Sequence, residues 1–171
     1  MATSNESAQG YVPDPRNEQV LVYVNGDFVP RHEARVSVFD SGFVLGDGVW
    51  EGLRLVDGRI ISFDAHLDRL FEGARSIALD IGLTRAQVQQ AVRDTLAKNG
   101  MTTSGAHVRL MVTRGVKRTV NQDPRFVIGA ATVVIVAEFK TPKPEVKARG
   151  LSLFTSTFRT SGPDVFDLRL N

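Results

Sequence analysis

"VLGDGVWEGLRL", Val44 to Leu55, packs glycines 46, 48 and 52 around an acid, then sets an aromatic, a second acid and an arginine on the same short run. Three readings compete: a phosphate cradle, a backbone device in a tight connection, or the rim of a site. A dinucleotide or phosphate loop works only between a strand and a helix N-terminus, where free N–H groups meet the anion. Here Trp50-Glu-Gly-Leu-Arg-Leu55 alternates as a strand and runs into Asp57-Gly58, a hairpin signal, so no helix starts after the glycines. No Gly-Lys-Ser/Thr follows either, which excludes a P-loop. Gly42, Gly46 and Gly48 then read as positions that need unusual backbone angles, in a connection that delivers the residues behind them.

Working outward, "VLVYV" before Asn25-Gly26 and "DFVP" after it predict a hairpin. "ARVSVF" alternates, with Val36 and Val38 on one face, and "DSGFVLGDG" reads as a loop. "FDAHLDRLFEGARSIALDIG" carries apolar residues at helical spacing, with Ser62 or Asp64 as cap and Gly82 beyond its end. A capping box, Thr84 with Gln87, opens a second helix that stops at Asn99-Gly100. The strands "HVRLMVTR", "RFVIGAATVVIVAEF" and, after the connector "KTPKPEVKARG", "LSLFTSTFR" follow. Strands, two consecutive helices, then strands predict an α+β domain with a mostly antiparallel sheet. Residues 1–18 are expected to be a flexible tail, 19–158 the domain, and 159–171 a linker.

Composition narrows the function. The 171 residues carry 21 basic and 19 acidic side chains, a near balance that gives no case for nucleic acid. There is no cysteine, so thiolate chemistry and cysteine-ligated zinc are excluded, and His32, His66 and His107 lack ligand spacing, so no metal is expected. The start has neither a basic nor an apolar signal region, and no apolar run reaches the roughly 18 residues of a membrane span. A cytoplasmic protein with no membrane partner is the expectation. His66 and Arg69, three apart on the first helix, sit on neighbouring parts of its surface. Arg69 either pairs with Asp64, Asp68 or Glu72, or offers a rigidly held fork to a phosphate. Arg109 shares a strand face with His107, Met111 and Thr113, opposite Val108, Leu110 and Val112. It is a solvated arginine or a carboxylate binder. Trp50 is core filler or a pocket wall.

The order of these pieces is more specific than any one of them. The Asn-Gly hairpin, "ARVSVFDSGFVLGDGVWEGLRLVDGRIISFDAHLDRLFEGARSI" and "AHVRLMVTRG" together resemble the pyridoxal-phosphate-dependent aminotransferases of fold type IV, from about Val20 onward. These include branched-chain aminotransferases, D-amino acid transaminases, (R)-amine transaminases and aminodeoxychorismate lyase. The resemblance implies the small N-terminal domain of such an enzyme, with pyridoxal 5'-phosphate as cofactor and transamination between an amino acid, branched-chain-like, and a 2-keto acid. It assigns Arg69 to the cofactor phosphate, Trp50 to the substrate pocket, Leu45 to a place where branched-chain enzymes tend to carry tyrosine, and Arg109 to the substrate carboxylate. Arg118 is offered to the carboxylate clamp of D-amino acid transaminases, though no histidine follows it. The Schiff-base lysine is expected just after the interdomain linker. Lys140, Lys143 and Lys147 precede that place and Arg169 cannot shed its proton, so no catalytic residue and no large domain are expected within these 171 residues. A homodimer is expected from the apolar surface that such a domain exposes. The alternative from another class is a non-catalytic binding domain.

Overall fold

The computed structural model describes residues 11–159 and Gly162, apart from the Lys147 side chain. Strand β1 (Tyr11–Val12) is followed by a 3-10 turn (Pro15–Gln19), the hairpin β2 (Leu21–Val24) and β3 (Asp27–Pro30), and a one-turn helix α1 (Ser41–Leu45). Next come β4 (Gly48–Val56), β5 (Arg59–Ile60), helices α2 (Phe63–Ser76) and α3 (Arg85–Lys98), and strands β6 (Ala106–Thr113) and β7 (Thr132–Phe139). A short β8 (Thr141–Pro142) and α4 (Pro144–Arg149) close the described elements. Six strands form one sheet in the order β3-β2-β7-β6-β4-β5, every pair antiparallel, and β1 pairs with β8 in a separate ribbon. This is the α+β architecture with two consecutive helices that the sequence predicts.

Alternation decides which side of the sheet is wet. Leu53 and Leu55 of β4, Val108, Leu110 and Val112 of β6, and Val133, Ile135 and Ala137 of β7 are buried together with Leu67, Leu70, Val88, Val92 and Leu96 from α2 and α3. Both helices therefore cover one face, the inner one, because a half-buried strand exposes every second residue. Thr84 and Gln87 form the reciprocal capping box that starts α3. At the other end of α3 the Asn99 side chain accepts from the Leu21 N–H at 2.7 Å and donates to the Leu21 carbonyl at 2.9 Å, fastening the helix to β2.

Several expectations need correction. Residues 34–39, "ARVSVF", are not a strand; Val36, Val38 and Phe39 stand exposed outside any sheet, because no sheet edge pairs with them. The "DSGFVLGDG" loop contains α1, whose N-terminus is capped by the Asp40 side chain accepting from the Gly42 N–H at 2.9 Å. Helix α2 ends at Ser76, well before Gly82, where Ala78 turns to a positive φ of 50°. The long strand expected from Arg125 begins only at Thr132, since Asp123 caps a 3-10 turn over Pro124–Phe126 and Val127 bridges to Lys117. The connector carries β8 and α4, and "LSLFTSTFR" forms no strand: Leu153, Phe154 and Phe158 are almost fully exposed. An apolar run becomes a strand only where an open edge takes its backbone groups.

Residues 11–18, expected in a flexible tail, are instead fastened to the fold. Asn17 is buried, its amide donating to the Phe139 carbonyl at 2.9 Å and its oxygen accepting from the Phe139 N–H at 2.8 Å. The Arg16 guanidinium lies 3.6 Å over the Phe139 ring. Residues 1–10 and nearly all of the expected linker, including Arg169, lie outside the described residues. Among the described residues no helix is long and apolar enough to cross a membrane.

Candidate functional site

The glycine stretch is a backbone device. Gly46 closes α1 in the left-handed region at φ 70°. Gly48 lies so close to β6 that a Cβ would meet the Val112 carbonyl at 2.5 Å, so no larger residue fits where β4 begins. From there the period of two sends Trp50 to the outer face and Glu51 to the inner one. The opening residues of β4 thus present consecutive side chains on opposite sides of the sheet.

On the inner side Glu51, 1% exposed, meets helix α2. Arg69 donates from Nε to Oε1 and from Nη2 to Oε2, both at 2.6 Å, a fork on a carboxylate. The Nδ1 of His66 sits 2.7 Å from the same Oε2. The carboxylate strengthens the hold on the Arg69 proton, raising its pKa. The fork uses two of the five N–H bonds of the guanidinium, and the Arg69 side chain remains 51% exposed. Its Nη1 has no partner among the described residues. Of the carboxylates expected for Arg69, Asp64 and Asp68 instead take Arg85 of α3. Sequence reasoning missed Glu51 as the anchor. Its signal was the strand parity: the residue after an outward Trp50 must point at the helix face.

On the outer side the Arg109 guanidinium stacks 3.8 Å over the Trp50 ring. Gly52 lies directly across from Arg109 and Arg54 directly across from His107, so all belong to this face. Burial, with the charges of Lys140, Arg54 and Arg109 behind it, pushes His107 below the usual imidazole range, against the pull of Glu138. Beside Trp50 the outer face of β6, β7 and β2 continues as an apolar trough of about 470 Å³, walled by Met111, Val134, Val136, Val22 and Phe43.

The structure brings Trp50 and Arg109 together and puts Arg69 on the opposite face, joined to them through Glu51 of the same strand. Strand β4 pairs with β5 only at Leu55 and Val56, and the Arg54 carbonyl accepts from the Ile61 N–H, so among the described residues 48–53 form an open edge between the two faces. Leu45 ends α1, exposed, shortly before that edge starts. Arg118 is exposed in the turn after β6, its N–H donating to the Phe126 carbonyl at 2.8 Å, apart from the other candidates. Its basic neighbours are engaged: the buried Lys117 donates from Nζ to the Asp123 carbonyl at 3.0 Å, and Arg114 gives four of its five guanidinium N–H bonds to Asp47 and the end of α2.

Comparisons with known proteins agree with this architecture. The family model for amino-transferase class IV matches residues 48–168. Branched-chain-amino-acid aminotransferase-like protein 1 of Arabidopsis thaliana is 39% identical over 94% of the chain and 28% of its own length. A putative branched-chain-amino-acid aminotransferase of Methanocaldococcus jannaschii is 38% identical over 85% of the chain and 49% of its own length. Among solved structures, the branched-chain amino acid aminotransferase from Escherichia coli superposes with a TM-score of 0.60 at 25% identity, over 70% of this chain and 41% of that one. The chain therefore spans half or less of the length of these relatives. With its six-stranded antiparallel sheet backed by two helices, and with the matched segment covering most of its length, the chain belongs to the class IV aminotransferases.

Proposed function

We propose that this chain contributes the small-domain share of a pyridoxal-phosphate-dependent transamination between a branched-chain-like amino acid and a 2-keto acid. One observation carries the reading: a buried carboxylate, Glu51, clamps one edge of the Arg69 guanidinium and leaves the other edge facing outward beside the open edge of β4. A phosphate monoester needs several N–H donors in a fixed plane, which a flexible lysine does not give. Arg69 retains its two Nη1 hydrogens and one on Nη2 for this purpose, so the residues present fit the phosphate end of the cofactor. When bound, the cofactor supplies the electron sink that lets an α-proton leave. The chain's own part is to hold the phosphate at Arg69 and to receive the substrate against Trp50 and Leu45, with Arg109 taking a carboxylate across the Trp50 ring. Met111 and Val134 extend that wall with the apolar surface that a branched side chain prefers.

The exposed Val36, Val38 and Phe43, next to the trough, give a second copy of the chain an apolar surface to cover, so we take the working unit to be a homodimer in the cytoplasm. Within the same family an (R)-amine or D-amino acid transaminase is the alternative, with Arg118 as its carboxylate donor, and aminodeoxychorismate lyase is another. No distance in the site favours these.

The test uses Trp50, the single tryptophan, as reporter. Titration of the 171-residue chain with pyridoxal 5'-phosphate is expected to quench Trp50 saturably, while pyridoxal, lacking the phosphate, binds at least ~10-fold more weakly. Arg69→Ala is expected to erase that difference. Equal affinity for the two compounds in the unaltered chain would remove the reading.

A further inference from the structure

Arg114 follows β6, and its side chain reaches across the end of the sheet. Its Nε donates to Asp47 Oδ2 at 2.7 Å and its Nη2 to Asp47 Oδ1 at 2.9 Å. The same Nη2 donates to the Ile77 carbonyl at 2.7 Å, and Nη1 donates to the Ala78 carbonyl at 2.8 Å. Its backbone N–H adds a contact to the Asp47 carbonyl at 3.2 Å. Four of the five guanidinium N–H bonds are thereby used, and the side chain is largely covered. Arg114 has no edge left for a carboxylate or phosphate, so its role cannot be to bind a ligand.

What it joins is specific. Asp47 lies between Leu45 and Gly48, in the connection that sets where β4 begins and hence where Trp50 and Glu51 point. Ile77 and Ala78 follow the last turn of α2, the helix that carries His66 and Arg69. A cation there also meets the negative end of the helix dipole. Ala78 holds φ at 50°, which an L-residue adopts only at a cost, and its carbonyl is the one Nη1 grips. Among the described residues Arg114 is the side chain that hydrogen-bonds both the Gly46–Gly48 connection and the end of α2.

We propose that Arg114 is a positioning residue that sets the Leu45–Trp50 side of the site against the Arg69-bearing helix. Its role at the phosphate position rests on the function proposed above; its hold on the loop and helix does not. A lysine cannot replace it, because one ammonium cannot span a bidentate carboxylate and two carbonyls at once.

The experiment compares Arg114→Lys with the otherwise unaltered 171-residue chain, both in an Ala78→Gly background that relieves the strained φ and supports the fold. Val88→Ala, in the α3 core away from the site, serves as a variant that destabilises without touching the strap. All are examined where far-UV circular dichroism shows an intact fold. Without cofactor, Arg114→Lys is expected to shift Trp50 emission to longer wavelength and to increase its quenching by acrylamide, while Val88→Ala lowers thermal stability and leaves both unchanged. With pyridoxal 5'-phosphate, Arg114→Lys is expected to weaken binding about 10-fold, because a displaced fork loses charge-assisted bonds. Trp50 spectra in Arg114→Lys identical to the unaltered chain, or equally altered in Val88→Ala, would overturn the proposal. The cofactor-free spectra decide the strap whether or not the cofactor binds, so failure of the proposed function and failure of this inference are read separately.

Discussion

The two faces of one sheet use similar residues to different ends. On the inner face of β4, β6 and β7, Leu53, Val108, Leu110 and Ile135 are sealed under α2 and α3, and the one acid there, Glu51, is matched by a fork and an imidazole. On the outer face, valines and a methionine line an open trough, and among the described residues Arg54, His107 and Arg109 face outward with only an aromatic ring in stacking contact. Burying a charge is costly unless it is paired, so the inner face tolerates its acid only with donors supplied. On the outer face Arg54 and Arg109 have water within reach and need no buried carboxylate, and the acid there, Glu138, takes Arg31 at 3.0 Å. Sealed packing is concentrated on one side, and exposed polar and apolar groups are left on the other and along the edge between them.

The largest expected effect tests the division itself. Leu110→Ala, inward on β6, is expected to cost about 3 kcal/mol, and Met111→Ala, the next residue outward, less than about 1 kcal/mol, by chemical denaturation. Equal costs would show that the outer face is also a core. Glu51→Leu comes next. Arg69 is half exposed and can be solvated when its partner is lost, so the expected loss is about 1 kcal/mol rather than that of a fully buried pair. Binding of pyridoxal 5'-phosphate should nevertheless weaken toward that of pyridoxal, because the fork loses its fixed plane. Unchanged phosphate preference in Glu51→Leu would separate the buried acid from the site.

The smallest effect is a pH slope. His107 binds its proton less readily folded than unfolded, chiefly through burial, from a reference of 6.5. Below that pH the unfolded chain takes up a proton that the folded chain refuses. The stability is therefore full above 6.5 and declines as pH falls toward the lowered value. His107→Gln should flatten the fall in the midpoint of thermal unfolding as pH drops from about 7 to about 5, the range that runs downward from the reference. A slope preserved in His107→Gln would place the sensitive group elsewhere.

The sheet, the two helices and the capping box are legible in the sequence because period and cap chemistry are local. So is the outward placement of Arg109, which follows from Val108, Leu110 and Val112 alone. The partner of Arg69 is not, since Glu51 and Arg69 are 18 residues apart and meet only when β4 lies under α2. Residues 34–39 and 151–159 alternate like strands and are not strands, because pattern says nothing of whether an edge is free to pair. The order of residues 11–19 escapes prediction for a similar reason: β1, Arg16 and Asn17 are held by β8 and Phe139, far along the chain. The resemblance implies roles for Trp50 and Arg69, but not that they lie on opposite sides of the sheet, Trp50 on the outer face of β4 and Arg69 on α2 over the inner face.

The most direct measurement is a crystal structure of the chain with pyridoxal 5'-phosphate. The phosphate is expected at the open edge of β4, an oxygen about 2.9 Å from Arg69 Nη1, with Glu51 still gripping Nε and Nη2. A phosphate seated instead among Arg54, His107 and Arg109, with Arg69 untouched, would contradict the division of labour between the two faces.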